Sequence, residues 1–504
     1  MFRTLVQSDH VEVAVVGGGL AGMATALRLQ AAGARTAVFE AHGHAGGCAG
    51  YWRHKGFSFD VGATTLVDFT PGGVGGELLE AVGMPPLRAQ VLPGYQAWLP
   101  DRRVSLHRDH ELWHRERLRA FGDDVAHRDL WRLLDRLADA FWRASRDGIR
   151  MPVRRPSDAL HDLRVVGLRD APLLRHLGAT VGGALRRRGL QHDAPLRGLL
   201  GMLVEDTVHS GLDRAPLINA ALGITIRGAG LLRAEGGMHG FWRGLVGRYR
   251  ALGGDLRVAS TVSRVDPASS GYRIATRRGA VLADTVVFAV PAPTVAVIAP
   301  ALPVSRRLRH YLDRDRDGYG GAIVVFLGVR ESEVDGQTFT HHQLLHDYGQ
   351  PLGDGNNMFL SVSAPGDTLS APEGHRAVMI STHTALHDWT GLGDDEYALR
   401  KKEIGERLVG YARRVYPTLG DRPAVYDVGT PRTYERFAAR PSGAVGGVHL
   451  TPRNANQFAI PHDLGGRGVW LVGDTTWPGL GTVACALASR HVAEGILRER
   501  RRAR

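Results

Sequence analysis

Two stretches at opposite ends of the chain carry residue types that hold a phosphorylated ligand. In VAVVGGGLAGMATAL, residues 13–27, Gly17-x-Gly19-x-x-Gly22 follows an apolar run and opens a segment of helical spacing. The first glycine of such a turn bends the chain, the second lets backbone approach a pyrophosphate, and the third lets helix lie on strand. The helix N-terminus attracts the phosphate charge. Glu40 ends the next apolar run, about 20 residues on, where a carboxylate holds ribose hydroxyls. An acid there fits FAD or NAD better than NADP. In VWLVGDTTWPGLGTVACALASRHVAEGIL, residues 469–497, an apolar run meets Gly473-Asp474, and a turn ending in Gly481 leads into a second helical pattern. Asp474 is placed to accept hydrogen bonds, and free N–H groups at the helix start stabilise negative charge.

These residues need strands and helices to carry them. Val11 to Val16 reads as a strand, Leu20, Met23, Ala24, Leu27 and Leu29 share helical spacing, and Arg35 to Phe39 reads as a second strand, which together make a βαβ unit. A glycine pair, Gly46 and Gly47, and the run Phe59, Asp60, Gly62, Ala63 suggest another strand whose end meets the same ligand. From about residue 109 to 230 helical patterns dominate, as in Leu130, Leu134, Leu137 and Phe141. Residues 236–266 return to helix and then strand, with Phe241, Leu245 and Tyr249 on one face, and DTVVFAVPAP, residues 284–293, reads as a strand. GAIVVFLGV, NNMFLSVSA and HRAVMIST, between residues 301 and 423, have the β-branched content of a sheet. The fold class expected is α/β: a discontinuous Rossmann-like domain made of residues 1–108, 231–300 and 424–504, with an inserted substrate domain of mixed sheet (301–423) plus helices (109–230).

At 504 residues the chain exceeds what one core usually supports. No run of eighteen apolar residues offers a membrane span. Two cysteines, Cys48 and Cys485, make no disulfide framework, and the opening MFRTLVQSDHVEV lacks the features of a secretion signal, so a reducing cytoplasm is the expected compartment. A formal charge of +12 raises nucleic acid and anionic membrane as partners. The arginines are interleaved with acids and no nucleic-acid-binding signature occurs, so nucleic acid is not expected.

Together Gly17-x-Gly19-x-x-Gly22, Glu40, Gly46-Gly47, Phe59-Asp60-x-Gly62 and Gly473-Asp474 resemble the FAD-binding flavoprotein superfamily that includes amine oxidases and phytoene desaturases. The resemblance implies FAD as cofactor. Gly17, Gly19, Leu20, Ala21, Gly22 and Glu40 would hold its adenosine diphosphate side. Gly46, Gly47, Gly62, Ala63 and Thr64 would approach ribose, pyrophosphate and isoalloxazine, and Val262 would contact adenine by main chain. Gly473, Asp474, Gly481, Thr482 and Val483 would face the flavin end.

The pieces FDVGATTLVDFTPGGVGGELLEAVGM, NNMFLSVSAPGDTLSAPEGHRAVMISTHTALHDW and GDTTWPGLG are similar to the carotenoid (phytoene) desaturase and isomerase branch, the first two most to its bacterial C-3′,4′ desaturase group. TTWPGLGTVACALAS departs from that branch's usual Ser-Thr-x-Pro-Gly-x-Gly followed by Ser-Gly. The activity implied is introduction of a C=C double bond into a carotenoid or related polyene or isoprenoid, by hydride transfer to flavin N5. The alternatives are a carotenoid cis–trans isomerase using reduced FAD, an amine oxidase-like flavoenzyme, and a non-catalytic prenyl-binding escort protein. The intact glycines, Glu40 and Asp474 speak against the last.

Such chemistry asks for placement of an apolar chain and exclusion of water, so no catalytic base is assigned. Glu205, Asp206 and His209 in LVEDTVHSG read as surface or capping groups. His341, His342 and His346 make no metal site, because no carboxylate or cysteine completes one and adjacent strand residues point to opposite faces. No metal is expected. Residues 151–200 hold nine arginines against four aspartates among apolar runs, which suits peripheral contact with an anionic membrane at its inner face. The tail RERRRAR is read as disordered and available for the same contact.

Overall fold

In the computed structural model residues 10–225 and 229–503 are described; residues 1–9 of the opening segment lie outside them. The first part of the chain runs β1 (His10–Val16), α1 (Leu20–Ala31), β2 (Thr36–Phe39), β3 (Tyr51–His54), β4 (Phe57–Asp60), β5 (Leu66–Val67), α2 (Val74–Ala81), β6 (Ala89–Val91), β7 (Gly94–Trp98) and β8 (Arg103–His107). Helices follow: α3 (His110–Phe121), α4 (Val125–Arg146), α5 (Pro156–Asp170), α6 (Val181–Arg186), α7 (Ala194–Val208) and α8 (Leu217–Ile224). Next come β9 (Leu231–Ala234), α9 (Gly237–Ala251), β10 (Asp255–Arg257), β11 (Val262–Pro267), β12 (Tyr272–Thr276), β13 (Gly279–Phe288), α10 (Ala292–Ile298) and α11 (Pro303–Arg314). The rest is β14 (Gly321–Arg330), β15 (His341–Leu345), β16 (Asn357–Val362), β17 (His375–Thr384), α12 (Asp394–Ala412), β18 (Val425–Gly429), α13 (Pro431–Ala438), β19 (Val469–Leu471) and α14 (Thr482–Ala503).

The first sheet places β1 between β2 and β13, all parallel, with β10 beyond β2. Val13, Ala14 and Val15 are fully buried, the pattern of a strand covered on both faces. On the edge away from β1, β13 serves two partners. Its first half pairs antiparallel with β12, and its last residues, Val286 to Phe288, pair parallel with Val469 to Leu471 of β19. The strand therefore begins before residue 284 and stops at Phe288, where the sequence reading had carried it to 293. Pro291 and Pro293 lack the N–H that a ladder needs, and α10 starts between them.

The second sheet has the order β18-β14-β17-β16-β15-β7-β8 and is antiparallel except where β15 meets β7. It is mixed, as expected, and it draws two strands from the part before the helices. Alternation sorts its faces. Ile323, Val325 and Leu327 of β14 share a core with Leu408 of α12, while Val324 and Phe326 face the other way, toward Phe59. Helices α4, α6, α7 and α8 build a separate core around Leu130, Trp131, Leu134 and Leu203.

Buried polar contacts tie the parts together. Asp60, at the end of β4, pairs with Arg233 of β9 at 2.7 Å, both side chains 4% exposed, and accepts the Met238 N–H at 2.8 Å at the start of α9. A Cβ on Gly237 would lie 2.6 Å from the Asp60 carboxylate, so the helix begins on glycine. Arg28 of α1 grips Glu77 of α2 and donates to Ser489 of α14. The C-terminal tail corrects the expectation of disorder: α14 continues through Ala503, because Glu494 and Arg498 pair across one turn and Arg500 reaches Glu12 at 2.6 Å.

Arg233→Met should leave the Asp60 carboxylate buried without its cation. Breaking such a pair costs about 3–5 kcal/mol, so the denaturant midpoint should fall clearly. An unchanged midpoint would remove this pair from the set of contacts that hold β4, β9 and α9 together.

Candidate functional site

The parallel strands β1, β2, β13 and β19 end side by side, and the residues just beyond them gather there: Gly17, Glu40, Ala289 and Gly473. In an open parallel sheet this is where a ligand crevice forms, at the point where strand order reverses. The turn after β1 is made by backbone in direct contact. Gly17 has φ +109, and a Cβ on Gly22 would lie 2.2 Å from the Gly17 carbonyl oxygen, so only glycine lets α1 settle on the strand. The Gly46–Gly47 turn lies on this one. The Gly46 N–H donates to the Gly18 carbonyl at 3.0 Å, and a Cβ on Gly47 would meet the Gly19 Cα at 3.2 Å. Two glycine motifs more than twenty residues apart thus make one cradle.

Glu40 is fixed on its rim. Gly18 N–H donates to one carboxylate oxygen and His42 N–H to the other, each at 2.7 Å. Burial pushes its carboxyl above the ordinary value, and these N–H groups pull it back. Each oxygen keeps a lone pair, so a held carboxylate can still accept from a ligand hydroxyl.

Across the crevice Gly473 and Gly481, both with positive φ, have no atom within 4 Å of an added Cβ, so open space stands before them. The Asp474 carboxylate pairs with Arg440 at 2.9 Å. Thr482, the first residue of α14, is buried and accepts the Val67 N–H at 3.2 Å. The first-turn N–H groups of α14 have no intrahelical partner.

A cavity of about 1340 Å³ joins these features. Its lining includes Glu40, His42, Thr261 and Val262, the turn residues Gly47, Gly62, Asp474 and Gly481, and the apolar side chains of Tyr95, Leu203, Leu231 and Phe359. Its long wall is one face of the second sheet, where Ala322, Val324 and Phe326 alternate with residues turned to α12. Of the residues singled out from sequence, Gly17, Gly19, Leu20, Ala21, Glu40, Gly46, Gly47, Gly62, Ala63, Thr64, Val262, Gly473, Asp474, Gly481 and Thr482 line this cavity. Two are not among its lining residues: Gly22, which closes the helix onto the strand, and Val483, which packs into the adjoining cores.

The polar cluster of α7 is not at the surface, which corrects the sequence reading. Asp206 and His209 line the cavity, and Glu205 pairs with His383 of β17 at 3.4 Å and accepts from Asn357. The helix must turn this side inward because the second sheet covers it: Gln343 of β15 donates to Asp206. His209 does end α7 in the left-handed conformation, so the capping part of the reading holds. Burial opposes charge on His383, but the Glu205 carboxylate outweighs it and lifts the imidazole to about 9. Burial and the His383 charge push His209 well down and His449 to about 4.

His341 and His342 lie on opposite faces of β15. His341 stacks on Tyr95 at 5.1 Å, whereas His342 accepts from Trp98 at 3.3 Å and meets the Tyr416 hydroxyl at 3.1 Å. Among the described residues no group of histidine, cysteine or carboxylate side chains forms a metal cluster. Arg440 and His383 were not singled out from sequence. Arg440 carried one signal, its place just before the turn-rich PSGAVGG.

The family model described as Flavin containing amine oxidoreductase matches residues 20–497. The chain is 23% identical over 508 residues to prolycopene isomerase 1, chloroplastic, of an Oncidium hybrid cultivar, covering 96% of this chain and 83% of that protein. It is 25% identical over 530 residues to phytoene desaturase (lycopene-forming) of a Paracoccus species, covering 96% of each. Among solved structures an oxidoreductase from Methanosarcina mazei shares the fold, with a TM-score of 0.61 at 17% identity over 96% of this chain and all of that one.

The His383–Glu205 pair sets a pH dependence. A raised histidine contributes stability fully present below its ordinary 6.5 and lost as pH climbs through about 9. The melting-temperature gap between the protein and His383→Asn should therefore be widest near pH 6.5 and shrink toward zero above pH 9. A gap that stays constant across this window would mean that His383 is not held charged.

Proposed function

Because the chain belongs to the family of flavin-containing amine oxidoreductases, we propose that this FAD-dependent enzyme acts on an apolar polyene of the carotenoid kind, removing two hydrogens to create a C=C double bond. The continuous cavity carries the reading: it joins a dinucleotide cradle to the apolar face of the second sheet. The residues present fit FAD. The glycine turns leave room that any Cβ would fill, Glu40 offers acceptors for ribose hydroxyls, and the start of α14 offers N–H groups toward a flavin carbonyl edge.

The chemistry the flavin supplies when bound is acceptance of a hydride. What this chain supplies is placement. Val324, Phe326 and Phe359 give an apolar wall that holds an extended chain and excludes water. Arg440 fixes the Asp474 carboxylate so that it presents a defined hydrogen-bonding edge beside Gly473.

A second reading, cis–trans isomerisation of a polyene without net oxidation, is supported by the isomerase relative that spans 96% of the chain. Both readings place an apolar substrate in the same cavity. Among the described residues no helix is long and apolar enough to cross a membrane, and delivery of such a substrate favours peripheral contact with the inner face of an anionic bilayer. α5 and the turn after it present exposed Leu160, Leu163, Leu168 and Leu174 beside exposed Arg164, Arg169 and Arg175. Apolar and cationic side chains on one surface suit that contact.

Expression in cells that accumulate defined carotenoids, followed by pigment mass analysis, tests the reaction: desaturation lowers product mass by two hydrogens, and isomerisation changes only chromatographic mobility. Hydrogen peroxide and ammonia released from amines, with pigments untouched, would overturn both. Glu40→Ala should lower flavin occupancy at least about tenfold, because the variant loses the ribose acceptor and the anchor of two N–H groups. Flavin released on denaturation measures it, and full occupancy would count against the ribose role.

A further inference from the structure

The loop after α13 makes a contact that packing does not call for. Ala439, in the left-handed conformation, closes the helix, and the loop then lies against the end of β19. Gly447 comes so near Asp474 that a Cβ there would touch the Asp474 carbonyl oxygen. Arg440 opens this loop and is buried. Its Nε donates to the Ala444 carbonyl at 2.8 Å, one Nη reaches the Asp474 carboxylate at 2.9 Å, and the other Nη has no partner. Replacing a buried ion pair by apolar side chains of like volume is often neutral or stabilising. An arginine here, with one donor group unspent, therefore needs a reason beyond stability.

Charge supplies one. Asp474 and Arg440 both line the cavity whose wall includes Val324 and Phe326, surroundings that screen charge less than water does. Among the described residues Arg440 is the one cation within ion-pair distance of Asp474. The titratable groups around the pair add no net charge. Burial pushes the Cys48 thiol up and the Cys485 thiol up to about 12, so both stay neutral. Burial and nearby cations hold His209 well below its ordinary value, and Arg314 and Asp315 cancel each other at 2.6 Å. A hydride brings two electrons and one proton, so a flavin that accepts one gains a negative charge. An uncompensated carboxylate in its cradle would oppose that gain.

We propose that Arg440 tunes the reduction potential of the bound flavin as a positioning residue that acts through Asp474. By cancelling that carboxylate it keeps the flavin end of the crevice neutral and able to receive the negative charge of reduction. The assignment rests on the reading that FAD fills the crevice with its flavin end toward Asp474, and it holds for either polyene reaction.

The test uses the full-length, flavin-loaded protein, with the midpoint potential measured against reference dyes during slow enzymatic reduction. At a fixed potential Arg440→Gln should lower the ratio of reduced to oxidised flavin at least about tenfold, a fall of about 30 mV for a two-electron couple. Asp474→Asn, which removes the carboxylate and leaves the cation, should shift the ratio the other way. The double variant should return to within about threefold of the parent, as should Arg440→Lys, which keeps the charge. Unchanged potentials in both single variants, shifts of the same sign, or a double variant that keeps the Arg440→Gln shift would overturn the proposal. If Arg440→Gln does not hold flavin, Asp474→Asn decides alone, and an unchanged or lowered potential overturns it. If the potentials move as expected and no polyene is converted, the charge role stands and the reaction fails. If polyenes are converted and the potentials stay fixed, the charge role fails and the reaction stands.

Discussion

The site depends on backbone lying against backbone. Where β1 ends, the Gly17 carbonyl sits against Gly22, Gly47 sits against Gly19, and Gly62 sits so near the Cys48 carbonyl that a Cβ would come within 2.3 Å of it. These contacts leave no thickness for side chains between the chain and whatever occupies the crevice. They also determine where everything else goes. α1 can lie on the sheet only because Gly22 admits it, and the position of α1 in turn sets where α14 packs, so the two ends of the chain come to bound one crevice.

Such contacts were legible in the sequence because they leave a fixed spacing of one residue type. Gly17-x-Gly19-x-x-Gly22 and Glu40 lie within a single βαβ unit, where local geometry converts spacing directly into position. The late Gly473-Asp474 was legible for the same reason: a short apolar run, a turn and a helix start adjoin in the chain. What the sequence hid depends on partners far away. Glu205, Asp206 and His209 look like the polar side of a surface helix until β15 and β17 cover them, and nothing within α7 announces that covering. Arg440 acquires its meaning only from Asp474, and β13 reaches back toward Gly279 because β12 offers it a partner. Side-chain spacing reports the local fold, and tertiary packing decides which polar groups become interior.

That distinction runs through the energetics of the cavity. The apolar face of β14 contributes through burial and needs only to be the right shape, whereas the pair of Glu205 and His383 must satisfy each other or be expelled. The cavity has both kinds of wall, apolar at Val324 and Phe326 and polar at Gln343 and His383.

The double pairing of β13 bears on how the molecule comes into being. Val286 to Phe288 find their outer neighbour only in Val469 to Leu471, and α14, which covers the same region, follows later still. A chain emerging from the ribosome therefore carries an open parallel edge through the making of the entire second sheet. The edge at Val286 to Phe288 is covered only once β19 has been synthesised, although the Gly17-x-Gly19-x-x-Gly22 turn is translated first. A release of the nascent chain before β19 would leave an exposed apolar strand edge, the kind of surface that chaperones bind and that aggregates when they do not.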